Sequence, residues 1–383
     1  MLTTKIIFWL SLFFLIYSYV FYPLLLALLA KIWKVKEFKL SSELPKLSLI
    51  IAAYNEEKVI KGRIENCLNL DYPQDSLEII IASDGSSDKT NEIVREYQSR
   101  GIILLDFENR RGKVNVLNEI VPQAKHSIVV FSDANTMFKR DALKKLVRYF
   151  GDSRVGCVCG GLQFVNAKGS NTGELEGVYW RYETMIKKFE GRRGSLLGVN
   201  GAIFAIRKEC YYSCPPDTIV EDFVMPMKIL EKGHAVVYEP EAIAIEEAAH
   251  KIIHEKQRRI RIGAGDFQAL FRLLPMLNPF RGFPALAFWS HKVLRWFAPF
   301  FLIICFFTNL SLFAKEPVYA VIFIIQCVFY GCAFIGQMFS WSGINIKLFS
   351  LCYYFVSMNL ALLLGFVRYL TGRQNVKWQR TER

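Results

Sequence analysis

Four stretches of the chain carry no charged side chain: residues 6–30, 296–314, 317–346 and 348–367. They bracket a middle region in which short apolar runs alternate with polar segments of helical spacing. At about 1.5 Å per residue the first stretch makes a helix of roughly 37 Å, enough to cross a bilayer with some tilt. The apolar region of a cleaved signal peptide is only about 7–15 residues long, so residues 1–30 read as a transmembrane anchor. The last three stretches also reach spanning length and predict a C-terminal transmembrane region over 295–367 with about three spans.

Between them, residues 31–262 predict one globular α/β domain. Residues 47–53 (LSLIIAA), 77–83 (LEIIIAS), 102–105 and 127–131 are short, β-branched apolar runs, the pattern of strands buried on both faces. Helical spacing follows the first run over 56–70. Ser87 or Asp88 can cap a second helix that continues to Arg100, and a third starts near Lys113. Strands alternating with helices through short turns imply βαβ units and a mostly parallel sheet. After Asp133 the pattern changes to a Gly- and Cys-rich run at 155–162, an amphipathic helix at 174–190, a loop at 191–200 and a strand at 202–206. Residues 266–277 (DFQALFRLLPML) are apolar but interrupted by charge and by Pro275. They suit a helix lying in the membrane interface, within an interfacial segment 263–294.

The net charge of +13 is bunched beside the apolar runs. Lys31, Lys34, Lys36 and Lys39 follow the first run, and the cluster 251–261 precedes the second. The positive-inside rule puts the central domain in the cytoplasm, the N-terminus outside, and the protein in the cell membrane as a multi-pass chain. Contact with membrane lipids, rather than nucleic acid, then accounts for the charge. Four full spans would leave the basic tail 368–383 outside, whereas Arg368, Arg373, Lys377, Arg380 and Arg383 argue for inside. Either one run is re-entrant or interfacial, or the charge rule fails at this end. Nine scattered cysteines without CxxC pairs read as reduced, small apolar residues.

Carboxylates recur where the strands end. Asn55-Glu56-Glu57, Asp84 and Asp133 fall at the C-terminal ends of apolar runs, the edge at which open α/β sheets bind ligands. Asp84 in a Gly-Ser turn can accept hydrogen bonds from a base or ribose, or simply form the turn. Arg110-Arg111-Gly112-Lys113 opens a helix and offers a phosphate site, or is a solvated basic turn. Asp133-Ala134-Asn135 presents two oxygen-bearing side chains of the kind Mg²⁺ or Mn²⁺ takes alongside substrate phosphates. Glu221-Asp222 precedes a helix and can supply a general base or an N-terminal cap. The dinucleotide fingerprint GxGxxG is absent, which disfavours a dehydrogenase.

The ordered set AAYNEE, ASDGSSD, GKVNVLN, SDAN and VEDF, followed by QRRIR before apolar spans, resembles the family 2 glycosyltransferases. In particular it resembles the membrane-embedded inverting synthases of cellulose, chitin, hyaluronan and poly-N-acetylglucosamine. The resemblance implies a GT-A, Rossmann-like domain that takes a UDP-sugar with Mg²⁺ or Mn²⁺ and transfers the sugar to a glycan or lipid-linked acceptor. It implies nucleotide-sugar contacts from Asn55, Glu56, Asp84, Lys113 and Asp133, with Asp133 and Asn135 on the metal. It makes Asp222, with Glu221, the base, and Gln257, Arg258, Arg259 and Arg261 the residues that face the leaving group or acceptor, with Trp180 available for acceptor stacking. Two departures stand out. The family's DxD is Asp-Ala-Asn here, and its QxxRW lacks the Trp, with Arg261 in that place when Gln257 is aligned. Single transfer to a polyprenyl phosphate and non-catalytic nucleotide binding are the alternative readings. Glycan export would call for a second copy or a partner subunit.

Overall fold

The computed structural model describes residues 1–32, 35–165, 172–247, 252–344 and 346–374, with side chains given from Arg181 and Lys256 onward in the helices that begin at Thr172 and Ile252. Lys34, Lys251 and the tail residues Lys377, Arg380 and Arg383 lie outside the described residues, as does the side chain of Trp180.

The strands β1 (Leu47–Ala53), β2 (Leu77–Asp84), β3 (Ile102–Phe107), β4 (Ile128–Asp133), β5 (Met137–Phe138), β6 (Val155–Val165), β7 (Phe204–Arg207) and β8 (Ala235–Glu247) form one sheet ordered β3-β2-β1-β4-β7-β6-β8-β5. Its first four strands are parallel, and β7 enters antiparallel to both β4 and β6. Both faces are covered, which is why the strand sequences are continuously apolar rather than alternating. Ile50, Ile80 and Val129 face one core with Phe223, Met227 and Phe267, whereas Leu49, Ile51, Ile79, Ile81 and Val130 face the other with Ile60, Ile64 and Val94.

The strand register sets the positions of the first carboxylates. Ala53 of β1 pairs with Ser83, and Ala52 pairs with Asp133, so Asp84 and Asp133 flank the C-terminal end of β1. Both are the last residues of their strands.

Three segments differ from the sequence expectation. Residues 235–247, left without an assignment by their pattern, form β8, whose apolar alternation is masked by Glu239, Pro240 and Glu241. The pairing of β6 with β8 slips at Gly160/Gly161, where added Cβ atoms would meet Ala242 O at 2.6 Å and Pro240 O at 2.7 Å. The expected interfacial helix at 266–277 is the second half of one helix, Ile252–Arg272, followed by a 3-10 turn at Leu274–Leu277. The expected span at 296–314 is part of a bent pair, Phe283–Trp296 and Ala298–Leu312, which meet at 58°.

Among the described residues, three helices are long and apolar enough to cross a membrane, Leu2–Ile32, Pro317–Trp341 and Lys347–Leu370, and four are if the bent pair counts as one span. Lys5 near the N-terminus contacts Glu316, and Phe8 packs with Leu312 and Tyr319, so the start of the Pro317–Trp341 helix lies at the level of the chain's N-terminal end. The far end of Lys347–Leu370 packs instead on the domain's own helix: a Cβ at Gly365 would meet Ala264 N at 2.7 Å, and Phe271 stacks on Tyr369.

Candidate active site

A cavity of about 360 Å³ opens at the C-terminal edge of β1, β2 and β4 and continues toward the transmembrane helices. Pockets of about 300–1,000 Å³ are typical for small ligands.

At the sheet end, Tyr54 and Arg110 form one wall, with the guanidinium 3.9 Å from the ring centroid and its buried Nε without a partner among the described residues. The turn beneath them is tightly tied. Asn55 adopts φ +54°, and its Oδ1 accepts from the Ser87 amide at 2.8 Å. Asp84 accepts from the amides of Arg111 at 2.6 Å and Gly112 at 2.9 Å. Gly85, at φ +68°, leaves room for the Arg110 amide that an added Cβ would meet at 2.6 Å. Asp84 therefore anchors the 110–112 turn, while each of its oxygens keeps a further lone pair. Glu56 lines the cavity; Asn55, whose amide spans the two turns, is not among its lining residues.

At the centre, Lys113 opens the Lys113–Gln123 helix and bridges two stations, 2.8 Å from Asp133 and 3.2 Å from Glu221. Burial opposes the ammonium charge, but Asp133 and Glu221 outweigh it and hold the lysine firmly protonated. Glu221 and Asp222 occupy the first turn of the Glu221–Glu231 helix, where the helix dipole favours negative charge. Burial and the neighbouring Glu221 nevertheless push the Asp222 carboxyl up to about 6, against the pull of Lys113 and Arg261. Gly201 permits this placement, since a Cβ there would lie 3.2 Å from Asp222 Oδ2.

Asp133 and Asn135 both line the cavity, and the buried Nδ2 of Asn135 has no partner among the described residues. Among the described residues there is no group of three or more His, Cys, Asp or Glu side chains able to hold an ion. This donor set fits a hard divalent cation that draws most of its oxygens from substrate and water.

The membrane-side end combines the three arginines expected from the sequence with Asp266, Glu183, Lys187 and Lys292, which sequence reasoning missed. Arg258, Arg259, Arg261 and Asp266 of the Ile252–Arg272 helix line it with Glu183, Lys187 and Lys292. Gln257 is exposed and does not line the cavity. Glu183 lies 2.9 Å from Lys292, 3.1 Å from Arg295 and 3.0 Å from His291, whose other ring nitrogen is 2.8 Å from Glu190. Burial opposes the Glu183 charge, but His291, Lys292 and Arg295 hold its carboxyl well below the usual range. No local pattern signals this cluster, because His291 and its two glutamates are more than a hundred residues apart in sequence.

A parallel sheet with this edge, extended through an antiparallel strand and flanked by membrane-type helices, is a GT-A fold. The solved structure of the mannosyltransferase PcManGT from Pyrobaculum calidifontis, in complex with GDP-Man and Mn²⁺, superposes with a TM-score of 0.70 at 20% identity, over 96% of this chain and 99% of that one. Residues 48–212 match the family model Glycosyl transferase family 2. Over 236 residues it is 29% identical to the poly-beta-1,6-N-acetyl-D-glucosamine synthase of Staphylococcus aureus strain COL, covering 60% of this chain and 57% of that protein. The Staphylococcus epidermidis protein of the same name is 29% identical over 232 residues, covering 59% of this chain and 56% of that protein. The chain thus spans a little over half the length of the curated relatives it matches.

Proposed function

We propose that this chain is an inverting membrane glycosyltransferase that moves a sugar from a UDP-sugar to a glycan or lipid-linked acceptor in cell-surface polysaccharide synthesis. The observation that carries the reading is Asp222, a carboxyl raised to about 6 on the same cavity as the Lys113–Asp133 pair. A base titrating near the working pH is effective at removing a proton from an attacking hydroxyl. In this reading Tyr54 and Arg110 flank the nucleoside, Asp84 and Asn55 hold the turns around it, and Lys113 meets the diphosphate. The acceptor hydroxyl gives its proton to Asp222 as its oxygen bonds to the anomeric carbon. The bond to the diphosphate breaks on the opposite face, and UDP leaves with the electron pair, its charge balanced by Arg258, Arg259 and Arg261. Asp133 and Asn135 would hold Mg²⁺ or Mn²⁺, which supplies further charge to stabilise the leaving diphosphate. The test is UDP release by the purified full chain from a panel of UDP-sugars with either ion. No release from any donor in the presence of glycan and polyprenyl phosphate acceptors would sink the reading.

The membrane contacts also support an arrangement with the catalytic domain inside and the N-terminus outside. With the start of Pro317–Trp341 at the N-terminal, outer level, its 25 residues bring the chain back to the domain side. Lys347–Leu370 then begins and ends on that side, because Gly365 and Tyr369 pack on the Ile252–Arg272 helix. This makes it the interfacial member of the set, leaves three crossings, and puts Arg368 and Arg373 inside as the charge rule asks. A green fluorescent protein fused after Arg383 is expected to fluoresce in the cytoplasm. Activity of a C-terminal alkaline phosphatase fusion outside the membrane would contradict the arrangement.

A further inference from the structure

We propose that Asp266 is a positioning residue for the acceptor, its carboxylic acid holding the hydroxyls of an uncharged carbohydrate at the membrane-side end of the cavity. The proposal rests on the glycosyltransferase reading above. Asp266 shares a helix face with Arg259 and Ile262, at spacings of seven and four residues, and all three line the cavity. Among the described residues no hydrogen bond or ion pair engages its carboxyl, while the nearby Lys292 and Arg295 are bound to Glu183. An ionised carboxylate with no partner is costly in such surroundings, whereas a neutral acid both donates and accepts, as sugar hydroxyls require.

The charges around it agree. Burial raises the Asp266 carboxyl to about 8; Asp222 and Glu183 add to the rise, and Lys292 and Arg259 oppose it. Asp222, on the same cavity, is raised only to about 6. Two acids whose titrations are split in this way take different roles, one as base and one as hydrogen-bonding acid. Their order along the cavity follows from their neighbours. Asp222 feels Lys113 and Asp133, at the donor end, whereas Asp266 feels Asp222, Lys292 and Glu183. The reacting hydroxyl must sit at Asp222, so Asp266 faces the remainder of the acceptor.

The test uses the full chain in lipid nanodiscs with UDP-N-acetylglucosamine as donor and a short β-1,6-linked N-acetylglucosamine oligomer as acceptor. In the unmodified protein, acceptor KM should rise about ten-fold, or about 1.4 kcal/mol, between about pH 7 and 9, with kcat nearly unchanged. Asp266→Asn, which keeps a neutral hydrogen-bonding group, should abolish that rise and stay within about three-fold of the parent KM at neutral pH. Asp266→Leu should raise acceptor KM about ten-fold already at neutral pH, with donor KM unchanged in both variants. Three results would overturn the proposal: an alkaline rise that survives in Asp266→Asn, a parental KM in Asp266→Leu, or equal loss of UDP affinity in both variants, which marks a merely structural role. Polyprenyl phosphate used in preference to the oligomer would overturn the uncharged class. Failure of the unmodified protein to bind UDP would remove the glycosyltransferase reading itself, and the proposal with it.

Discussion

Asp222→Asn is expected to lower sugar transfer about 10³-fold while leaving UDP affinity within about two-fold of the parent, the size of effect general-base removal produces. The change keeps the shape of the side chain, so loss of turnover without loss of binding isolates proton removal. The pH dependence should agree. Activity in the parent protein should rise through about pH 6 as Asp222 loses its proton. Stability should move the other way. The folded carboxyl titrates above its ordinary value, so between about pH 4 and 6 the folded state holds more protons than the unfolded chain, and stability declines as pH rises through that window. Asp222→Asn escapes that cost and should be more thermally stable than the parent at neutral pH, on the order of 1 kcal/mol once contact with cavity water is allowed for. A variant that loses activity and stability together would point to structural damage instead. An indifferent variant would favour a non-catalytic nucleotide-binding role.

Lys113→Met is expected to show the second-largest effect, and on two readouts. The ammonium is the shared partner of Asp133 and Glu221, so its removal leaves like charges facing one another across the cavity. Breaking a fully buried pair costs about 3–5 kcal/mol, but the Asp133 side chain is 36% exposed, which reduces the expected loss to about 1–2 kcal/mol. Lys113 also pulls the Asp222 carboxyl down, so its loss should shift the acidic limb of the pH–activity profile upward. UDP affinity should fall about ten-fold, because one charge-assisted hydrogen bond to the diphosphate disappears. Thermal unfolding, UDP titration and the pH profile measured on one preparation check all three. An unmoved acidic limb would show that Lys113 and Asp222 do not share a field.

Much of the sheet is legible in the chain because burial on both faces leaves its mark on every residue. LSLIIAA, LEIIIAS and the run ending at Asp133 need no tertiary information to read as strands. β8 was hidden for the converse reason: Pro240 and its flanking glutamates sit at an irregularity in the pairing, a feature only the partner strand reveals. The Ile252–Arg272 helix is hard to read from sequence because a basic run and an apolar run meet within it, Arg258, Arg259 and Arg261 lining the cavity and Phe267 packing against Phe297 and Phe366. Along the cavity, carboxylates at strand ends mark Asp84 and Asp133, and the acidic start of a helix marks Asp222. Spacing says nothing, however, of hydrogen-bond partners. That Asp84 serves the backbone of Arg111 and Gly112 depends on a close approach at Gly85. That Lys113 links Asp133 to Glu221 depends on three elements meeting, and Asp266 gains its setting from Lys292 and Glu183, which come from distant segments.

The most direct measurement is the configuration of the product. Purified full-length protein would be given UDP-N-acetylglucosamine with Mn²⁺ and a short N-acetylglucosamine oligomer, and the new linkage read by proton NMR alongside released UDP. A single base, Asp222, on the face opposite the leaving diphosphate predicts a β-linkage from the α-linked donor, with one UDP released per sugar added. An α-linked product would contradict in-line attack assisted by Asp222, and UDP release without a new linkage would contradict the assignment of the membrane-side cavity to an acceptor.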